Sequence, residues 1–135
     1  MIGLLVATAF AFQSCDDYPD GPLVSLKSKT ERVANDWKIG EALDDGTNIT
    51  SEYEKYELSL EKDGEAILTA NYNFLGINYE FTTSGTWEFL SNATKISFDF
   101  ENDDADGIYE ILRLKEDEMW LKKDGGTIEL HFMSK

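Results

Sequence analysis

The chain has 135 residues, 41% hydrophobic and 13% aromatic, and a formal net charge of −15. That length suits one domain with a core of its own, and the composition excludes a disordered chain. So acidic a surface repels phosphate backbones and anionic headgroups, which excludes nucleic-acid binding and electrostatic docking on membranes. The acidic residues are dispersed among apolar ones rather than gathered in a tail, a pattern that serves solubility.

Ile2 to Phe12 is an apolar run of about half the ~20 residues that a spanning helix needs. Its length fits the hydrophobic region of an export signal. No Lys or Arg precedes it, which points to a start upstream of Met1 or to the loss of a few residues. The run ends at Gln13-Ser14-Cys15, and Asp16-Asp17 follow directly. Cys15 is the only cysteine, so it cannot form an internal disulfide; a buried thiol on an N-terminal core strand is the alternative to a modified one. Small Ser14 before Cys15 resembles the lipobox of Bacteroidetes lipoproteins, in its looser form, and the acidic pair resembles their surface-export signal. The resemblance implies cleavage before Cys15, acylation of Cys15 and an outer-membrane location on the periplasmic or cell-surface side. Residues 1–14 are then a signal peptide. Residues 15–24, which contain Pro19, Gly21 and Pro22, are an acidic tether, and residues 25–135 are the folded domain.

Ser28-Lys29-Thr30-Glu31 has the pattern of a capping box, and it predicts a short helix ending near Asn35. From Trp37 the pattern turns to alternation. Trp37 to Asp44 forms a first strand, closed by Asp44-Asp45-Gly46. Tyr56, Leu58 and Leu60 share one face of a second. Lys62-Asp63-Gly64 is a tight turn into a third, in which Ala66, Leu68, Ala70, Tyr72 and Phe74 alternate with more polar positions. In the fourth, Ile77, Tyr79, Phe81, Thr83, Gly85, Trp87 and Phe89 all keep one parity. A single strand bent at Ser84-Gly85 preserves that register; a hairpin over Thr82 to Gly85 is the competing arrangement. Ile96, Phe98 and Phe100 mark the fifth strand, and Ile108 to Leu114 the sixth. In the sixth the apolar parity switches between Ile111 and Leu114, the sign of a bulge. Glu118 to Lys123 forms the seventh, with Met119 and Leu121 inward. Asp124-Gly125-Gly126 turns into the eighth, which carries Ile128, Leu130 and Phe132. Eight antiparallel strands with short turns and no long crossover predict an all-β, up-and-down barrel, because closure removes exposed edges.

A short helix leading into Asn35-Asp36-Trp37-Lys38-Ile39 resembles the lipocalin motif in which a tryptophan closes the barrel's base. The segments Ser84 to Phe89, Tyr109 to Leu114, Met119-Trp120-Leu121 and Glu129 to Phe132 are similar to those of lipocalin-like lipoproteins of Bacteroidetes. The resemblance covers roughly residues 25–135 and implies a lipocalin-like barrel. In the wider group such barrels hold small apolar ligands, and most of these lipoproteins have no characterised function.

Chemistry has little to work with. His131 is the only histidine; it lies on the outward parity of the last strand beside Glu129, where a solvent-facing role is expected. No nucleophile elbow surrounds any serine, and no glycine loop cradles a phosphate. No enzyme activity, catalytic residue or cofactor is expected. Asn102-Asp103-Asp104-Ala105-Asp106-Gly107 has the alternating oxygen ligands and glycine of half a calcium loop, with Asn102, Asp104, Asp106 and Glu110 as candidate ligands. Arg113 stands where such a loop has its bidentate glutamate, and a solvated acidic loop is the alternative. Asn48-Ile49-Thr50 and Asn92-Ala93-Thr94 match the glycosylation sequon, a chance match in a bacterial lipoprotein.

The barrel interior is the remaining candidate. Tyr56, Tyr72 and Tyr79 offer polar tips, and Phe81, Trp87, Phe98 and Met119 offer apolar wall for a small apolar or amphipathic ligand. Most inward side chains are large, and a narrow barrel can be filled by them outright. The alternative is therefore a filled, non-catalytic barrel whose loops bind a protein or glycan. In either case the expected protein is a monomer that meets the membrane through its acyl anchor.

Overall fold

The computed structural model describes residues 27–135, without the side chains of residues 72–74. The signal, Cys15 and the tether lie outside the described residues. The elements are α1 (Lys29–Val33), β1 (Asp36–Asp44), β2 (Thr47–Asn48), β3 (Glu57–Leu60), β4 (Glu65–Phe74), β5 (Ile77–Leu90), β6 (Lys95–Phe100), β7 (Gly107–Leu114), β8 (Glu118–Lys123) and β9 (Ile128–Ser134). Two 3₁₀ turns, Thr50–Tyr53 and Asp103–Ala105, punctuate the loops.

Every neighbouring pair is antiparallel, and β1 pairs with both β3 and β9. The sheet therefore closes into an eight-stranded up-and-down barrel, with β2 an accessory pair on the end of β1. Leu58, Leu60, Leu68, Ile96, Phe98, Leu121, Leu130 and Phe132 are buried inside, whereas Glu57, Ser59, Glu88, Lys122 and Glu129 alternate with them on the outside. Apolar-in and polar-out is the reverse of a membrane barrel, whose lipid-facing side is apolar.

Three irregularities curve the sheet. β5 is one strand, not a hairpin, and at Gly85 it pairs with Ala66 on one side and Phe100 on the other. A Cβ on Gly85 would stand 2.0 Å from the Asp99 carbonyl oxygen and 2.6 Å from the Phe100 Cα. The β7–β8 register shifts between Ile111 and Arg113, the bulge implied by the parity switch. The β1–β9 register also shifts between Ile39 and Glu41, so Trp37 and Ile39 face in before Gly40 and Ala42 after it. The sequence reading had no bulge there.

The base is sealed. Ser28 Oγ accepts from the Glu31 N–H at 3.1 Å and the Glu31 carboxylate accepts from the Ser28 N–H at 3.1 Å, which completes the capping box. So short a helix needs tertiary support. Trp37, fully buried, donates its indole N–H to the Val33 carbonyl at 2.9 Å. Arg32, also buried, donates from Nη1 to the Leu114 carbonyl at 2.6 Å. Trp87 supports the same end by donating its indole N–H to the Glu61 carbonyl at 2.8 Å.

Because the Gly85 Cβ position is walled by backbone rather than by a yielding side chain, Gly85→Ala is expected to lower the unfolding free energy by about 1–3 kcal/mol. Urea denaturation checks this; an unchanged midpoint would mean that β5 and β6 do not approach so closely.

Candidate functional site

The opposite end of the barrel is organised differently. After β2 the chain folds back as a 3₁₀ turn: Ile49 N–H donates to the Ala42 carbonyl at 2.8 Å, and Ala42 N–H donates to Thr50 Oγ1 at 3.0 Å. This brings Tyr53 over the mouth, in edge contact with Tyr56 at 5.4 Å between ring centres. Tyr56 packs on Phe132 at 6.0 Å, and Tyr109 meets Phe98 edge-on at 5.9 Å. Phe132 and Phe98 thus form a floor, with Tyr53, Tyr56 and Tyr109 standing above it.

Burial raises all three phenols. Burial, aided by Tyr109 and Tyr53, pushes the Tyr56 hydroxyl far above its ordinary range. Burial, aided by Tyr53, pushes Tyr109 up to about 12. Tyr53 is raised by burial and by the carboxylates of Glu52 and Asp44. All three are therefore protonated donors at physiological pH. Among the described residues, neither Tyr56 nor Tyr109 has a hydrogen-bond partner for its hydroxyl, and neither oxygen is among the buried atoms sealed from water. Buried polar groups are normally paired, so these hydroxyls are open to water or to a ligand.

The seven interior candidates divide. Tyr56 and Phe81 belong to the mouth, and Phe98 to its floor. Trp87 and Met119 are buried in the packed base and serve as core. Tyr79 has the expected parity but is 41% exposed, because β4 and β5 run past the barrel. Residues 70–74 of β4 and 77–81 of β5 pair only with each other as strands, so the hairpin projects, and beyond buried Ala70 and Thr83 its inward parity runs out of the interior. Its tip exposes Leu75 (86%) and Ile77 (56%). The Tyr72 side chain lies outside the described residues. Tyr53 and Tyr109 join the mouth as well: Tyr53 sits in a turn with no strand pattern, and Tyr109 shares the inward parity of Ile111.

The calcium set does not assemble. Asn102 Oδ1 accepts from the Asp104 N–H at 3.1 Å, and Asp106 Oδ1 accepts from the Phe100 N–H. Both oxygens are thereby used to shape the loop. Glu110 lies on the outer face of β7 between Lys95 and Lys122. No cluster of three or more acidic, histidine or cysteine side chains suited to a metal occurs among the described residues.

His131 is outward, but it is not solvent-facing: its side chain is 13% exposed. It stacks on Trp120 at 3.9 Å with the rings 8° from parallel, and Arg113 covers the Trp120 ring at 4.2 Å. The imidazole meets Glu129 through Nε2 and Glu41 through Nδ1, the latter at 3.4 Å. This layered cluster ties β7, β8, β9 and β1 together from outside. An open cleft of about 480 Å³ lies at the base between the α1–β1 junction and the β3–β4 turn. Asp36, Glu61, Lys62 and Asp63 line it, so it lacks the apolar wall of a small-molecule pocket.

No family model matches the chain, and no curated protein matches it. Among solved structures it is similar to a DUF4847 family protein from Bacteroides vulgatus. The TM-score is 0.54 at 10% identity, over 76% of this chain and 93% of that one. At such identity the likeness shows the fold alone, a closed antiparallel barrel.

The phenols have a pH consequence. Their folded-state pKa values exceed the ordinary value of about 10, so the stabilisation from keeping them neutral is full below pH 10. It is lost as pH rises through the folded-state values. Stability should fall above pH 10, and the double variant Tyr56→Phe/Tyr109→Phe should flatten that fall. Urea denaturation between pH 8 and pH 11.5 checks it; an identical slope in both proteins would contradict the burial of these hydroxyls.

Proposed function

We propose that the protein is a lipid-anchored, extracytoplasmic, non-catalytic barrel that takes a small amphipathic ligand at its tyrosine-lined mouth. The observation that supports this most is the pair of inward phenols, Tyr56 and Tyr109, enclosed by aromatic rings yet with no partner for their hydroxyls among the described residues. An apolar surround with a few convergent polar tips is how small-molecule sites are built. The floor of Phe98 and Phe132 limits depth, so the ligand's apolar part lies against Phe81 and the projecting hairpin rather than along the barrel axis.

Anchoring rests on the sequence at Ser14-Cys15 and on the lack of any other cysteine. The folded domain is entered through α1 at the sealed base, the end opposite the mouth. Mass spectrometry of the native protein should find an acylated Cys15 as its first residue, and Cys15→Ser should release the protein from membranes. An unmodified thiol at Cys15 would remove the anchor from the account.

For the ligand, calorimetry with a medium-chain amphiphile such as dodecanoate should show saturable binding. Loss of two hydrogen bonds of about 0.5–1.5 kcal/mol each predicts roughly fivefold to 150-fold weakening in Tyr56→Phe/Tyr109→Phe. Met119→Leu, in the base, should leave affinity unchanged. Absence of saturable binding by any amphiphile would contradict the proposal and move attention to the exposed hairpin tip.

A further inference from the structure

One charged side chain at the mouth meets an aromatic ring but no carboxylate among the described residues. Lys123 ends β8 and pairs directly with Tyr109 of β7, so both side chains point to the same side of the sheet. That side is inward: Tyr109 packs against Phe98, and Gly107, two residues earlier on β7, pairs with buried Phe98. The Lys123 ammonium lies 5.1 Å from the centre of the Tyr109 ring. It occupies the place where a side chain on residue 107 would stand, because a Cβ on Gly107 would be 2.6 Å from Nζ and 3.0 Å from the Tyr109 ring. Glycine at 107 thus makes room for a cation inside the rim.

In a chain of net charge −15, Lys123 has no carboxylate within ion-pair distance among the described residues. The other lysine pairs show the contrast: Lys95 meets Asp124 at 3.1 Å, and Lys135 meets Glu57 at 2.9 Å. The one carboxylate that the register places on the inner rim is Asp44, opposite Ile128 of β9, and the Thr127 hydroxyl already donates to it. Asp44 and Lys123 are separated by β9, so the rim is polarised, with a satisfied anion on one side and an uncompensated cation beside two phenol donors on the other.

We infer that Lys123, Tyr109 and Tyr56 form a headgroup site for an anionic amphiphile of the carboxylate class, with Lys123 as counter-ion and the two phenols as donors. This rests on the mouth reading above and specifies its ligand. A carboxylate has lone pairs enough for all three donors, and hydrogen bonds to an ionised acceptor are about twice as strong as neutral ones. The acidic loops around the rim weaken anion capture at long range, but that repulsion is screened by salt within about 8–10 Å. Contact with the ammonium is not screened in the same way. Asp44 repels the same headgroup and biases it toward the Lys123 side.

Three probes of equal chain length test the assignment by calorimetry: dodecanoate, 1-dodecanol and dodecylammonium. Dodecanoate should bind at least tenfold more tightly than either of the others. Lys123→Gln should remove that preference, Lys123→Arg should retain it, and Asp44→Asn should leave it equal or stronger, with each variant's melting transition confirming a folded barrel. Tighter or equal binding of dodecylammonium or dodecanol would overturn the headgroup assignment while leaving the mouth as a ligand site. An undiminished preference in folded Lys123→Gln would overturn it too. Binding of none of the three would overturn the mouth reading, and the assignment with it.

Discussion

The pairing of β1 with β9 is the constraint on which the rest depends. It turns an open sheet into a closed wall of eight strands, and an interior of that size is about as wide as its own side chains. Each large inward residue therefore decides whether a given level is core or space. From the base upward the levels are filled: Val33 and Trp37 plug the end, and Ile96, Leu114, Met119, Leu121 and Leu130 close over them, all almost fully buried. Above this packed set, where the strands stop pairing, the aromatic group of Tyr53, Tyr56 and Tyr109 stands over Phe98 and Phe132.

Closure also has to be bent into being. Gly85 lets the β5 and β6 backbones approach closely, and the registers of β1 and β7 shift elsewhere in the wall. The bulge at Gly40 has a second effect, since it resets the parity of β1 so that Ala42 and Asp44 face inward above it. The polarity of the rim thus follows from a backbone irregularity. Outside, the seam is clasped by His131, which lies between Glu41 of β1 and Glu129 of β9 and is stacked on Trp120. The chain's one histidine is used for holding the wall together.

The strands were legible in the sequence because each buries one face and exposes the other, so alternation in Leu58-Leu60, Ile96-Phe98-Phe100 and Leu130-Phe132 encodes the wall directly. The capping box and the bulge before Leu114 were legible for the same reason, each leaving a local pattern. The mouth was less so. Tyr53 reaches it from a 3₁₀ turn that carries no period. Tyr79 has the inward parity but sits where the wall has ended, and parity cannot report where a strand outruns its neighbours. The charge on the rim was illegible altogether: Lys123 at the end of a strand reads as a solvated terminus until Gly107 is placed beside it. The calcium pattern in the Asn102 to Glu110 segment is a similar case, since spacing does not show that Asn102 and Asp106 turn to backbone donors and that Glu110 lies on the outer face of β7.

The central claim is that this barrel is closed core below and a polar-tipped aromatic site above. Aromatic carbon–proton NMR correlation spectra recorded during a dodecanoate titration test it most directly. The account predicts saturable shifts for the rings of Tyr53, Tyr56, Tyr109 and Phe98, with those of Trp37 and Trp87 unmoved. Shifts centred on Trp37 or Trp87, or no shift at the three tyrosines, would contradict it.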